Sequence, residues 1–359
     1  MKAIGLALLL TCASIAAAQT TAPVVWQMQE SGSTASLRGI FSVDGSVVWA
    51  SGSEGTVLKT TDGGSHWQKC ATPDAATDGA TLDFRGVQAW DATTAIVMAS
   101  GPGEKSRLYK TVDGCGTWKL VFKNPDKDGF WDAIQFDGKE DGMLIGDPVG
   151  GYFAVFITQD GGQSWTRQKP DGLEAIASQE SIFAASNSSL ALFSDLAHRF
   201  FVTGGPGGSL FIQCHGELEV SGKPENVTCL KSPKRLPLAR GKASTGAFSF
   251  GFESKFYIAV GGDYTKPNES AGTAAWSADG GEHWTASATP SHGFRSAVQW
   301  SEAQRVWITV GTNGSDISRD DGKTRQPLDD GNWNAHSLPF VVGPKGRIAR
   351  LNAAALAGK

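Results

Sequence analysis

The chain has 359 residues, among them 45 glycines and 12 tryptophans, with 19% charged residues and a formal net charge of −4. That balance argues against nucleic acid or an anionic membrane surface as the main partner. Abundant glycine with modest charge describes many short strands joined by tight turns, and helical periodicity is nearly absent.

The chain opens as an export signal. Lys2 is a minimal positive start, Ala3 to Ala17 a short apolar run, and Ala16-Ala17-Ala18 a cleavage site ahead of Gln19. We expect residues 1–18 to be removed and residues 19–359 to form one domain in the periplasm or outside the cell. The apolar run is short for a bilayer span, and no later run reaches that length, so the mature protein is not expected to be an integral membrane protein. Four cysteines remain after residue 18, an even number that in an exported chain reads as disulfides with three possible connectivities. Cys214 and Cys229 flank a polar hairpin whose closure is worth about 3 kcal/mol in the chain-entropy picture. Cys70 lies just after TTDGGSHW and Cys115 inside the similar TVDGCGTW, so adjacent repeats could bring them together. These two pairings are the ones expected.

One octet recurs along the chain: TTDGGSHW from Thr60, TQDGGQSW from Thr158 and SADGGEHW from Ser277, with the variant TVDGCGTW from Thr111 and a worn copy, SRDDGKTR, from Ser318. This S/T-x-D-x-G-x-x-W pattern is an Asp-box. Its aspartate accepts backbone N–H groups of its own turn, its glycine supplies positive φ, and its tryptophan opens the next strand as a large buried ring. The aspartates stand at 62, 113, 160, 279 and 320, so the long step from 160 to 279 hides a repeat without a box. Ser181 to Ser186, Phe200 to Gly205 and Ser209 to Cys214 read as its strands. A basic segment with Lys231, Lys234, Arg235, Arg240 and Lys242 follows and reads as a solvated loop. Asn334 to Arg350 gives three strands without a fourth, and Val24 to Met28 is a lone strand with Trp26 in phase. Joining them closes a ring and leaves no open sheet edge. The expectation is an all-β, seven-bladed β-propeller, its blades opening near residues 36, 82, 130, 180, 246, 293 and 334.

In such a blade the loop entering the innermost strand and the loop between strands two and three share one face. Arg38, Arg85, Asp132, Glu180, Arg295 and His336 begin innermost strands, and Asp147, Asp263 and Tyr264 lie in the second kind of loop. Together they predict a polar funnel whose three arginines could grip a carboxylate or phosphate, or else pair with the neighbouring acids and plug the mouth. No Rossmann fingerprint, G-x-S-x-G elbow, H-E-x-x-H helix or Cys/His zinc spacing occurs, so neither cofactor nor metal is expected and the catalytic residues stay unknown. A sialidase-type glycosidase would need an activated tyrosine and an acid; Tyr264, Glu180 and Asp132 are the candidates.

Aligned this way, the mature chain resembles the photosystem II stability/assembly-factor-like family of exported β-propellers with BNR or YVTN-like repeats. The resemblance rests on WASGSEGTVLKTTDGGSHW, LDFRGVQAW, FWDAIQF, GDPVGGYF, VGGDY and FRSAVQW. It departs at Cys115, at Arg325 and in the fourth blade. The resemblance implies a monomeric binding or assembly scaffold for an envelope or secreted protein, or for an anionic small molecule or glycan. Sialidase-like hydrolase and oxidoreductase are the alternatives that the family brings.

Overall fold

The computed structural model describes residues 24–168, 171–175, 179–193, 198–217, 226–229 and 232–356; the export signal lies outside them. Seven antiparallel sheets follow one another, making a seven-bladed β-propeller. Their innermost strands are Leu37–Ser42, Phe84–Ala89, Trp131–Asp137, Leu190–Leu192, Thr245–Glu253, Ala297–Ser301 and Ala335–Ser337, numbered here as blades 1 to 7. The second strands Val48–Gly52, Ala95–Ala99 and Val306–Gly311 are buried along their whole length. A sheet covered on both faces needs continuous apolar runs rather than alternation, and the neighbouring blades provide that cover.

The repeated octet folds identically in five blades. In blade 3 the Thr158 hydroxyl donates to Asp160 Oδ1 at 2.8 Å and accepts the Gly162 N–H at 3.0 Å. Asp160 Oδ1 also accepts the N–H groups of Gln163 and Ser164. The other carboxylate oxygen accepts the Ser164 hydroxyl at 2.6 Å. The residue before the tryptophan plays this last part in every copy: His66, Thr117, Ser164, His283 and Thr324 each reach back to their aspartate. So saturated, Asp62 and Asp113 have pKa values lowered to about 2, by backbone and side-chain bonds from His66 and Thr117. Gly161 and Gly162 both take positive φ, and Cys115 and Asp321 tolerate it in the variant copies.

Each turn sends its last side chain onto the preceding blade. Trp67 meets Phe340 of blade 7 edge-on at 6.4 Å, Trp118 meets Trp49 of blade 1, and Trp284 meets Phe211 of blade 4. Trp165 stacks on Phe122 of blade 2. Where blade 6 lacks the tryptophan, Arg325 is buried in its place, donating to the Ser287 hydroxyl at 2.7 Å and to the Gly322 carbonyl. Burial lowers its pKa to about 10. Lysines work the seams in the other direction: Lys59 donates to Gly114 O of blade 2, and Lys110 to Gly161 O of blade 3.

The ring closes on the N-terminal strand Trp26–Gln29, which pairs with Ile348–Leu351 as the outer strand of blade 7. Trp26 is buried, donates from Nε1 to the Ser315 hydroxyl of blade 6 at 3.0 Å, and packs on Trp333. Both expected disulfides are present, Cys70–Cys115 between blades 1 and 2 and Cys214–Cys229 across directly paired strands. Blade 4 corrects the sequence reading. Ser181 to Ser186 is not its first strand: it makes one isolated bridge, Ser181 to Gly204, and the innermost strand is Leu190–Leu192. The basic segment is not wholly a free loop either. Lys234–Arg235 pairs with Leu210–Glu217, and Lys234 meets Glu282 at 2.8 Å; Lys231 lies outside the described residues.

If Trp26 is the latch, Trp26→Ala should lower the unfolding free energy by about 3–5 kcal/mol, the usual cost of emptying a buried tryptophan site. Truncation through residue 32 should destabilise the whole ring in one transition. Urea unfolding followed by tryptophan fluorescence and circular dichroism checks both; a truncated chain melting like the parent would refute this closure.

Candidate functional site

Four blades begin their innermost strand with a β-bulge. The register skips Arg38 between Leu37 and Gly39, Arg85 between Phe84 and Gly86, Asp132 between Trp131 and Ala133, and Phe248 between Ala247 and Ser249. A bulged residue has no partner opposite it, so its side chain can be re-aimed. Arg38, Arg85 and Phe248 line a cavity of about 440 Å³ at this end of the channel. The residue after each bulge is small (Gly39, Gly86, Ala133, Ser249), a signal that could have drawn Phe248 into the sequence reading.

The floor of the cavity is the segment that failed to become a strand. Residues 184–188 cross the channel and bond to four blades. Arg85 Nη1 of blade 2 donates to Ala184 O at 3.2 Å, and the Asn187 carboxamide bonds both N and O of Ile134 in blade 3. The Ser188 hydroxyl meets that of Ser249 in blade 5, and the Ser186 hydroxyl donates to Ser296 O beside blade 6. Asn187 holds the crossing with φ of +61°.

One wall is cationic. Arg38 and Arg85 share a single carboxylate, Asp83, at 3.5 and 2.8 Å. Burial first, and then the adjacent Arg85 charge, pull Arg38 below its ordinary pKa. Sequence reasoning missed Asp83, which sits one residue before the blade 2 strand. The other wall is aromatic. Phe183 and Phe248 stack at 3.8 Å, Phe294 meets Phe248 edge-on at 4.7 Å, and the half-exposed Tyr264 stands edge-on to Phe183 and Phe248.

The other predicted residues lie elsewhere. Arg295 is fully buried, its Nε 2.5 Å from Asp316 Oδ2 and its Nη1 donating to the Asn313 side chain; His292 holds the other Asp316 oxygen. Asp263 accepts the Thr265 N–H and hydroxyl and pairs with Lys242 at 3.2 Å. Burial would raise its pKa, but those bonds win and hold it below the carboxylate range. Glu180 lies against the turn at Gly207, and His336 is buried with Nε2 at Ile308 O. Asp132 is buried beside Asp147, with Oδ2 lacking a hydrogen-bond partner. Burial and then the Asp147 charge push Asp132 well above its ordinary pKa. Burial brings Asp147 to about 6, although its Oδ1 accepts the Ile182 N–H at 2.9 Å. Among the described residues no cluster of three or more metal-ligating side chains occurs, and no helix is long and apolar enough to cross a membrane.

No protein-family model matches the chain. It is similar to the photosystem II assembly lipoprotein Ycf48 of Synechococcus sp. (strain CC9902), 29% identical over 163 residues. That match takes in 45% of this chain and spans 44% of the relative's length. Among solved structures it is similar to YCF48 from Cyanidioschyzon merolae, with TM-score 0.63 and 18% identity over 92% of this chain and all of that one. YCF48 bound to D1 peptide gives TM-score 0.59 and 16% identity, over 92% of this chain and 99% of that one. The resemblance to the assembly-factor propellers therefore holds in sequence and in fold.

The raised pKa of Asp147 has a stability consequence. A carboxyl whose folded value exceeds its unfolded one adds stability below about pH 4 and loses it as pH rises through about 6. Asp147→Asn keeps the oxygen that accepts Ile182 N–H and removes the charge. The variant should be about 2 kcal/mol more stable than the parent at pH 7, with the gap closing below pH 4. Urea unfolding at pH 4, 5.5 and 7 measures this; a gap independent of pH would contradict it.

Proposed function

We propose that this protein is an exported binding or assembly scaffold that engages an envelope or secreted protein through the funnel face. The observation that carries this reading is the pair of arginines, Arg38 and Arg85, held side by side over one shared carboxylate at the rim of a preformed cavity. Two guanidiniums with one aspartate leave unspent donors and a net positive charge facing the mouth. A propeller of similar fold, YCF48, holds a D1 peptide, which supports a peptide-bearing partner here. The two disulfides fit an oxidising compartment, which supports a periplasmic or secreted location.

The hydrolase reading draws less support. Glycoside hydrolysis usually takes two carboxyl groups flanking one bond, and the residues lining the cavity include two guanidiniums and no carboxylate. Tyr264 is set against phenylalanine rings.

Affinity capture from the periplasm of the source cells tests the scaffold. The parent protein should retain an envelope protein that Arg38→Gln and Arg85→Gln retain at least tenfold less well, with all three chains equally folded by circular dichroism. Equal capture by parent and variants would reject the funnel face. Fluorogenic glycoside turnover abolished by Glu180→Gln would replace the scaffold with the hydrolase.

A further inference from the structure

The cavity has two unlike walls, and this constrains its contents beyond a charge preference. We infer that it is a binding site for a small monocarboxylate with an aromatic body, the carboxylate on Arg38 and Arg85 and the ring against Phe183, Phe248 and Tyr264. The inference rests on the funnel face being the binding face and adds a ligand for its closed floor.

Four observations carry it. First, the walls lie on opposite sides of the ring. The arginines come from blades 1 and 2, the phenylalanines from the crossing segment and blade 5. A ligand filling the space meets both at once. Second, the charge count favours a monoanion. Arg38 and Arg85 face the cavity with Asp83 between them, leaving one positive charge. Among the described residues no other carboxylate lines the cavity: Asp132 is buried, Asp147 turns Oδ1 to the Ile182 N–H, and Asp263 is paired with Lys242. A phosphate dianion would over-neutralise this wall, whereas a carboxylate matches it and suits the planar fork of a guanidinium. Third, two polar side chains of the lining, Ser296 and Asn334, are already engaged. The Ser296 hydroxyl bonds Val310 O and Asn334 O, and the Asn334 carboxamide donates to Leu37 O and the Ser36 hydroxyl. A peptide threaded into this floor would bury amides against Ser296 and Asn334, which are spoken for, at a cost that an aromatic acid reaching the arginines avoids. Fourth, the volume of about 440 Å³ lies within the range of small-molecule sites and is closed below by residues 184–188.

The aromatic wall also explains the form of the rim. Phe248 sits at the same bulge position that carries Arg38 and Arg85 in other blades, so one backbone device presents both halves of the ligand's chemistry. Tyr264, half-exposed at the mouth, adds an edge-on ring that can shift without loss of core packing.

Isothermal titration calorimetry with 3-phenylpropionate, 3-phenylpropionamide, propionate and an octapeptide ending in phenylalanine tests the assignment on the mature chain. 3-Phenylpropionate should bind, with the amide and propionate each at least tenfold weaker. Arg38→Gln should weaken it at least tenfold and Tyr264→Ala about fivefold; the exposed Tyr264 keeps the test informative should the arginine variant fold poorly. Absence of binding, or equal binding of propionate, would overturn the inference, as would an octapeptide binding tenfold tighter than the free acid. If the acid fails while protein capture still depends on Arg38 and Arg85, only this inference falls. If both fail, the funnel reading falls with it.

Discussion

The structure depends on a carboxylate that is used up locally. In five blades an aspartate accepts its own turn's N–H groups and two side-chain hydroxyls or a hydroxyl and an imidazole, so the turn is rigid before any neighbour arrives. Rigidity at that point aims the following side chain. A tryptophan beginning the last strand then lands on the preceding blade at a fixed place, and a lysine from that blade caps the turn's carbonyl in return. At the seams between blades 1, 2 and 3 this makes a two-way clasp in which neither half depends on the centre of the ring. That independence leaves the centre free to vary.

Variation at the centre is concentrated in one blade. Blade 4 lacks the octet and spends its first residues crossing the channel instead of pairing as a strand. The crossing bonds blades 2, 3, 5 and 6 and turns an open channel into a cup. Bulges at the strand starts point arginines in from one side and a phenylalanine from the other. The same sevenfold scaffold so yields a site with no symmetry at all, which is what recognition of one particular ligand requires.

The periodic features were legible in the chain because each is encoded within eight or so residues. The octets and the second strands ending in small residues needed only local chemistry and counting; the closing Trp26 strand and the cysteine pairs followed from laying the repeats in order. Arg38 and Arg85 were legible for the same reason: the strand start told which face they occupy. Arg295 shared that signal yet turned inward, because Asp316, from a strand of its own blade, supplies a buried partner that spacing cannot reveal. Residues 181–186 carried a fair strand pattern, and their crossing was hidden because its partners are scattered over four blades. Tyr264 was legible from its loop, but Asp83 and the phenylalanines of the aromatic wall escaped for want of any pairwise signal in sequence; the small residue following each bulge was the one trace available.

The closing strand also fixes an order of events. Trp26 pairs with Leu351, so the first described strand is bonded to the last. Until Ile348–Leu351 is made, Trp26–Gln29 lacks its partner, and six blades must stack with a gap where the seventh will stand. That contact has the greatest sequence separation of the described strand pairings, and its loop-closure cost is lowest once the blades between its two halves are in place. A chain built this way can close its ring only when Trp26–Gln29 and Ile348–Leu351 are both present.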